Sequence, residues 1–173
     1  MPERRIIRLI GGAGQVVADG WQLIEDGATW NGAPGALIPL ATALAQADRL
    51  AQSSPLGVWL SPGDEPAQVV ALFDSIALIA VQFPKFGDGR GYSTAALLRN
   101  RYGWRGELRA IGDVLRDQLF FMKRVGFDSF ALRADRNPDE ALASLADFSD
   151  SYQGSVDPAL PAFRRIDAFT QAE

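Results

Sequence analysis

The sequence predicts an α/β protein built from four consecutive βα units, preceded by an N-terminal β-hairpin and a helix. From residue 56 onward, short apolar runs alternate with segments whose apolar residues recur at helical spacing. One run, IALIAVQF at residues 76–83, is almost continuously apolar, as expected of a parallel strand buried on both faces. Four units leave two architectures open, an open parallel sheet and a half-barrel. A half-barrel has exposed edges, which the hairpin or a second copy in a homodimer would cover.

The whole chain, residues 1–173, is predicted to be one domain whose hairpin region is residues 1–35. Short apolar runs in this region are separated by Gly-Gly and Asp-Gly dipeptides, which are turn signals. GGAG, residues 11–14, lacks the third glycine of a dinucleotide fingerprint and is interpreted as a turn. Residues 37–52 have apolar side chains at helical spacing and predict a helix, with Pro39 tolerated near its start.

Residues 36–149 are predicted to form the βα core. Pro66 suits the first turn of one predicted helix, and Gly103 and Gly126 suit the position just after a helix end. The tail, residues 150–173, has two prolines and few periodic positions, and we predict that it is irregular. From residue 56, the predicted strands and helices of the core read, in order, LGVWL, PAQVVALFDS, IALIAVQF, TAALLRNRYG, ELRAIG, DVLRDQLFFMKRVG, FDSFALR and ADRNPDEALASLADFS.

The composition excludes several classes of function. The chain has no cysteine and no histidine, so it has no disulfide, no thiol nucleophile, no Ser-His-Asp triad and none of the usual haem, zinc or iron–sulfur ligands. A net charge of −4 without a basic cluster argues against nucleic-acid binding. The N-terminus does not resemble a signal peptide, and no segment approaches the roughly 20 apolar residues of a membrane-spanning helix. We therefore expect a cytoplasmic protein with no metal site and no evident cofactor, and without a nucleic-acid or membrane partner.

The loops that follow the predicted strands should hold the functional site, because in parallel α/β folds these loops gather on one face, where ligands bind. They are residues 61–65, 84–93, 112–118 and 133–139. These loops are rich in charge, whereas the opposite loops are short. Their charged residues include Asp64, Glu65, Lys85, Asp88, Arg90, Asp113, Asp117, Arg133 and Asp135.

The glycine-rich loop FPKFGDGRGYS, residues 83–93, is a candidate anion site. Gly91 permits close backbone approach, and Ser93 suits the cap of the following helix, whose first N–H groups would attract an anion. We predict that Asp88, Arg90, Gly91 and Ser93 bind a small anionic ligand together with Arg133, since an arginine fork suits a carboxylate or phosphate. The loop matches neither GxGxxG nor a Walker sequence. In the alternative interpretation it is a surface loop in which Asp88 pairs with Arg90.

Three residues are candidates for catalysis: Asp113, Asp117 and Lys85. The two carboxylates are four residues apart on a predicted helix, so both could face the rim of a site, and their proximity could raise one pKa. In the alternative interpretation Asp113 is an ordinary N-cap and Asp117 stabilises an acidic helix start.

Three segments closely resemble a bacterial family of unknown function: LGVWLSPGDEP, the block from IALIAVQFPKFGDGRGYS to GFDSFALR, and ALASLADFSDSYQ. The resemblance covers about residues 16–153. Members of that family are typically encoded beside the haemoprotein subunit of sulfite or nitrite reductase, and some are labelled probable oxidoreductases in sulfite reduction. The resemblance implies an accessory protein of assimilatory sulfite reduction whose partner is the reductase haemoprotein. A chain without cysteine or histidine cannot be the metal-bearing subunit. An enzyme acting on a small anionic metabolite and a pure interaction module remain the alternatives.

Overall fold

Eight strands form one curled, half-barrel sheet in a computed structural model that describes residues 4–145. The predicted tail, residues 150–173, lies outside the described residues. The strands are β1 (Arg5–Ile10), β2 (Ala13–Ala18), β3 (Gln22–Leu23), β4 (Ala36–Pro39), β5 (Gly57–Leu60), β6 (Leu78–Phe83), β7 (Glu107–Gly112) and β8 (Ser129–Phe130).

Helical segments connect the parallel strands from β4 to β8, whereas a loop joins β3 to β4. The α-helices are α1 (Leu40–Ala45), α2 (Ala47–Leu50), α3 (Arg90–Ala96), α4 (Leu119–Val125) and α5 (Pro138–Ala141). A π-helical turn, Leu97–Arg101, extends α3, and the 3₁₀ segments are Ala51–Ser53, Pro66–Ser75, Arg116–Gln118 and Leu142–Leu145. Gly103 (φ 74°) and Gly126 (φ 114°) follow helix ends with positive φ, which confirms the positions predicted for them.

The strand order is β2-β1-β8-β7-β6-β5-β4-β3, with β3 to β8 parallel and in chain order. The hairpin β1–β2 pairs antiparallel with β8 and covers that edge of the parallel strands. Its turn is made by Gly11 (φ 59°) and Gly12 (φ 84°), as a two-residue hairpin loop requires. The half-barrel and the covering hairpin are thus confirmed, whereas a homodimer stays a prediction.

The helix predicted for residues 37–52 is wrong at its start. Ala36–Pro39 forms β4, which is buried and lies between β3 and β5. Pro39 has an extended backbone (ψ 147°), so the helix begins only at the next residue, and an interruption at Gln46 divides it into α1 and α2. The four predicted strands are therefore joined by two more, β3 and β4, in the parallel part of the sheet.

The two faces of the sheet have separate apolar cores. The helix-covered face packs Val81, Phe83 and Leu108 against Leu119 and Met122 of α4. The inner face has a smaller cluster that the chain fills by itself: Ile6, Leu37, Trp59, Leu78, Ala80, Ile111 and Ala131, with Val17, Trp21 and Leu23 packed against it. The half-barrel therefore has a filled interior without a second half.

A buried ion pair lies on the inner face. The side chains of Arg109 on β7 and Asp19, just after β2, are each only 3% exposed, and Arg109 Nη1 donates to Asp19 Oδ1 at 2.8 Å. Arg109 Nη2 donates to Glu107 at 2.7 Å and Nε donates to Ser129 Oγ at 3.1 Å. Because a buried charge without a partner is costly, this network fixes the hairpin against β7 and β8.

We expect Arg109→Ala to lower the free energy of unfolding by about 3–5 kcal/mol, because it removes the nearer charge partner of the buried Asp19 carboxylate and leaves only Arg4 at 3.6 Å. Arg116→Ala is the matched control, since Arg116 pairs with Asp117 at the surface and should cost at most about 1 kcal/mol. Urea denaturation of both variants measures the difference. Equal stability of the two variants would show that the inner ion pair does not hold the hairpin.

Candidate functional site

A cleft of about 730 Å³ opens at the carboxyl ends of β6, β7 and β8. Its floor includes Gln82 at the end of β6 and Ile111 and Gly112 at the end of β7. Gly112 has φ 93°, and a Cβ there would collide with the Phe83 carbonyl oxygen, so this turn requires glycine. The position is the one predicted, because ligands of parallel α/β folds bind beyond the carboxyl ends of the strands.

The walls of the cleft come from both sides of the half-barrel. One wall includes Leu23 and Glu25, at and just after β3. The other is formed by the start of β1 and by the segment after β8, which contributes Leu132, Arg133, Ala134, Arg136 and Pro138. Because β1 runs antiparallel to β8, its first residue, Arg5, and the preceding Arg4 lie beside the carboxyl end of β8.

Four arginines line the cleft: Arg4, Arg5, Arg133 and Arg136. Each has a carboxylate partner that does not line the cleft. Arg4 pairs with Asp19 at 3.6 Å, Arg5 with Asp139 at 2.9 Å, Arg136 with Asp135 at 3.7 Å, and Arg133 with Asp113 and Asp135. These ion pairs reduce the net positive charge of the cleft and hold its guanidinium groups in place.

Arg133 is held most firmly of the four. Its Nε and Nη2 donate to the two carboxylate oxygens of Asp135 at 2.6 and 2.9 Å, and its Nη1 donates to Asp113 Oδ1 at 3.1 Å. The hydrogen bonds to Asp135 and then Asp113 raise the pKa of Arg133, and Arg133 in turn lowers the pKa of Asp135. A guanidinium has five N–H groups, so two remain without an acceptor among the described residues. The Arg133 guanidinium thus has a fixed position and two N–H groups that could donate to a ligand.

The glycine-rich loop does not line this cleft. Arg90 Nε and Nη2 donate to the Asp88 carboxylate at 3.0 and 2.6 Å, and the Arg90 backbone N–H donates to Asp88 Oδ1 at 3.2 Å. The Arg90 side-chain hydrogen bonds are the main cause that lowers the pKa of Asp88 from 3.8 to about 2. The geometry therefore matches the alternative interpretation of a self-paired surface loop, and ligand binding by Asp88 and Arg90 stays a prediction.

Ser93 does not cap a helix, and that part of the prediction is wrong. Helix α3 already begins at Arg90 and has Gly89 at its N-cap position without a side-chain hydrogen bond, so Ser93 lies within the helix. Gly91 is buried, and a Cβ there would lie 2.6–3.0 Å from three ring atoms of Phe83. Close packing of α3 on β6 explains this glycine without a ligand.

The structure separates the three candidates for catalysis. Asp113 is half-buried and bound to Arg133 at the cleft, but it is not an N-cap, since the helical turn after β7 begins only at Arg116. Asp117 is exposed, pairs with Arg116 at 3.5 Å and lines a second cavity of about 280 Å³. Lys85 lies in the exposed glycine-rich loop and lines neither cavity. Their joint catalytic role stays a prediction.

Five polar or charged residues that line the cleft were not among the sequence candidates: Arg4, Arg5, Glu25, Gln82 and Arg136. Arg136 could have been predicted from the sequence, because it lies in one of the loops that follow the predicted strands. Arg4 and Arg5 could be predicted only if it were known that the hairpin pairs antiparallel with β8. Glu25 could not be placed without β3, which has only two residues, and β4, which overlaps the helix predicted for residues 37–52.

Within residues 4–145, no three acidic side chains are grouped as a metal site would require. No helix in the same part of the chain has the length and apolar composition needed to cross a membrane.

The fold and the cleft define an α/β half-barrel with an arginine-lined cleft beyond the carboxyl ends of its parallel strands. The chain belongs to the family described as "Bacterial protein of unknown function (DUF934)", whose model matches residues 57–163. This confirms the bacterial family of unknown function that the sequence resembles. A comparison with curated proteins found no match. The matched segment includes the cleft floor, Arg133 and Arg136, but it begins after Arg4, Arg5 and Glu25.

We expect Gly91→Ala to destabilise the protein, because the new methyl group would overlap the Phe83 ring, and overpacking typically costs about 1–3 kcal/mol. Gly89→Ala is the matched control in the same loop, since a Cβ there has no neighbour within 4 Å. Thermal denaturation should give a lower Tm for Gly91→Ala than for Gly89→Ala. Equal Tm values would contradict the packing explanation and leave ligand approach as the reason for Gly91.

Proposed function

We propose that the protein binds a small anionic ligand, of the phosphate, carboxylate or sulfur-oxyanion class, in the cleft at the carboxyl ends of β6, β7 and β8. The observation that carries this proposal is the Arg133 guanidinium, which two aspartates orient at the cleft. Its two remaining N–H groups suit an oxyanion, because charge-assisted hydrogen bonds from a guanidinium are among the strongest in proteins.

The neighbouring arginines support the same ligand class. Arg4, Arg5 and Arg136 come from two different segments of the chain and line the same cleft. Arg136 is paired with Asp135 only at 3.7 Å, beyond hydrogen-bonding distance, so an anion could draw it away at little cost. An anion bound by Arg133 would therefore have further cations within the same cleft.

A second proposal is that the protein is a cytoplasmic accessory protein of assimilatory sulfite reduction. It is supported by the resemblance of about residues 16–153 to proteins encoded beside the reductase haemoprotein, and by a sequence without ligands for sirohaem or an iron–sulfur cluster. The two proposals are compatible, because sulfite and sulfate are themselves small oxyanions.

Isothermal titration calorimetry with phosphate, sulfate, sulfite and small carboxylates tests the anion site, at constant ionic strength maintained with chloride. We expect Arg133→Ala to weaken binding of the preferred anion about tenfold or more, since a hydrogen bond to a charged group is worth about 1.5–3 kcal/mol. Arg133→Lys should weaken it as well, because lysine keeps the charge but lacks the fork.

Arg105→Ala is the control for that experiment, since Arg105 is exposed in the loop before β7, at the opposite end of the strands. It should bind like the parent protein. If none of these anions binds, or if Arg133→Ala and Arg105→Ala bind equally well, the proposed site is wrong.

A deletion strain tests the accessory role. We expect it to grow poorly on sulfate or sulfite as sole sulfur source and normally on cysteine, and we expect the tagged protein to co-purify with the reductase haemoprotein. Normal growth of the deletion strain on sulfate would contradict a role in sulfite reduction while leaving the anion site untouched.

A further inference from the structure

We propose that the natural ligand of the cleft is zwitterionic, with an anionic group at one end and an ammonium group at the other, an inference that rests on the proposed function. The two walls of the cleft carry opposite charge. The wall made by the start of β1 and the segment after β8 has four guanidinium groups, and the wall after β3 has the carboxylate of Glu25.

Glu25 is available to a ligand. It is exposed, it lines the cleft, and its carboxylate has no hydrogen bond or ion pair with any residue of the described part of the chain. Asp26 follows it in an exposed turn and does not line the cleft. No basic residue among residues 4–145 lines this wall.

The backbone beneath Glu25 is fixed on both sides. The Ile24 N–H donates to the Leu37 carbonyl at 2.9 Å, and the Trp59 indole N–H, from the filled interior, donates to the Ile24 carbonyl at 2.9 Å. On the other side, the Ala28 N–H donates to the Glu25 carbonyl at 3.1 Å. The Glu25 side chain therefore emerges from a defined position at the rim of the cleft.

The arginines of the opposite wall do not need Glu25 as a partner. Each of the four already has an aspartate that lies outside the cleft lining. The negative charge of Glu25 is thus not balanced within the cleft, and a ligand with an ammonium group would balance it. A second anionic group next to Glu25 would instead be repelled.

The surface between the charged walls is apolar. Leu23, Ile111, Leu132 and Pro138 line the cleft, and its volume of about 730 Å³ lies within the range of small-molecule sites. The ligand class that fits is a molecule with an uncharged, largely apolar body between a phosphate, carboxylate or sulfur oxyanion and an ammonium group.

Matched pairs of probes test this ligand class by calorimetry. Each pair is an alkyl phosphate or alkyl carboxylate with an arm of about two to six carbons, ending either in an ammonium or in a methyl group. At the arm length that spans the cleft, we expect the ammonium probe to bind about two- to fivefold more tightly, as measured for exposed ion pairs. Glu25→Gln should remove this preference and leave the binding of the methyl probe unchanged.

Glu65→Gln is the control, because Glu65 is an exposed glutamate after β5 that does not line the cleft. It should keep the preference for the ammonium probe. If methyl probes bind through Arg133 but ammonium probes are not preferred at any arm length, or if the preference survives in Glu25→Gln, the zwitterion inference is wrong and the anion site stands. If no probe binds through Arg133, both are wrong.

Discussion

The ion pair between Arg109 and Asp19 is the interaction on which the arrangement of the half-barrel depends. Each side chain is only 3% exposed, so both charges need partners inside the protein, and their direct contact holds the end of the hairpin against β7. This placement brings Arg4 and Arg5 beside the carboxyl end of β8. The cleft wall that contains Arg4 and Arg5 therefore depends on the buried contact between Arg109 and Asp19.

The parallel strands that the sequence predicts most clearly are those with long apolar runs. β5 and β6 are buried over all or nearly all of their length, and their continuous apolar runs form a pattern that no exposed helix shares. The sequence does not predict β3 and β4, and the reason is physical. β3 has two residues, and the apolar residues of β4 continue without a break into α1, so the local pattern fits one helix. Only the pairing of β4 with β5 shows where the strand ends.

The candidate site was predictable in its location but not in most of its residues. Parallel strands place the site at their carboxyl ends, and Arg133, after the last of them, lies there as expected. The composition of the glycine-rich loop has two local explanations, and ligand binding by this loop stays a prediction. Gly91 lets α3 pack on Phe83, and Asp88 and Arg90 satisfy each other. Glu25 and Arg4 are distant in sequence from Arg133, and no local pattern marks residues that meet only across a curled sheet.

Mapping the bound anion by nuclear magnetic resonance tests the account most directly. Phosphate or sulfite is titrated into ¹⁵N-labelled protein, and the shifts of backbone and side-chain amides are followed. We expect the largest changes at the Gln82 side chain, Gly112 and Ala134, with little change at the amides of residues 87–91. Changes centred on residues 87–91, with the amides of the cleft unperturbed, would contradict an anion site beyond β6, β7 and β8.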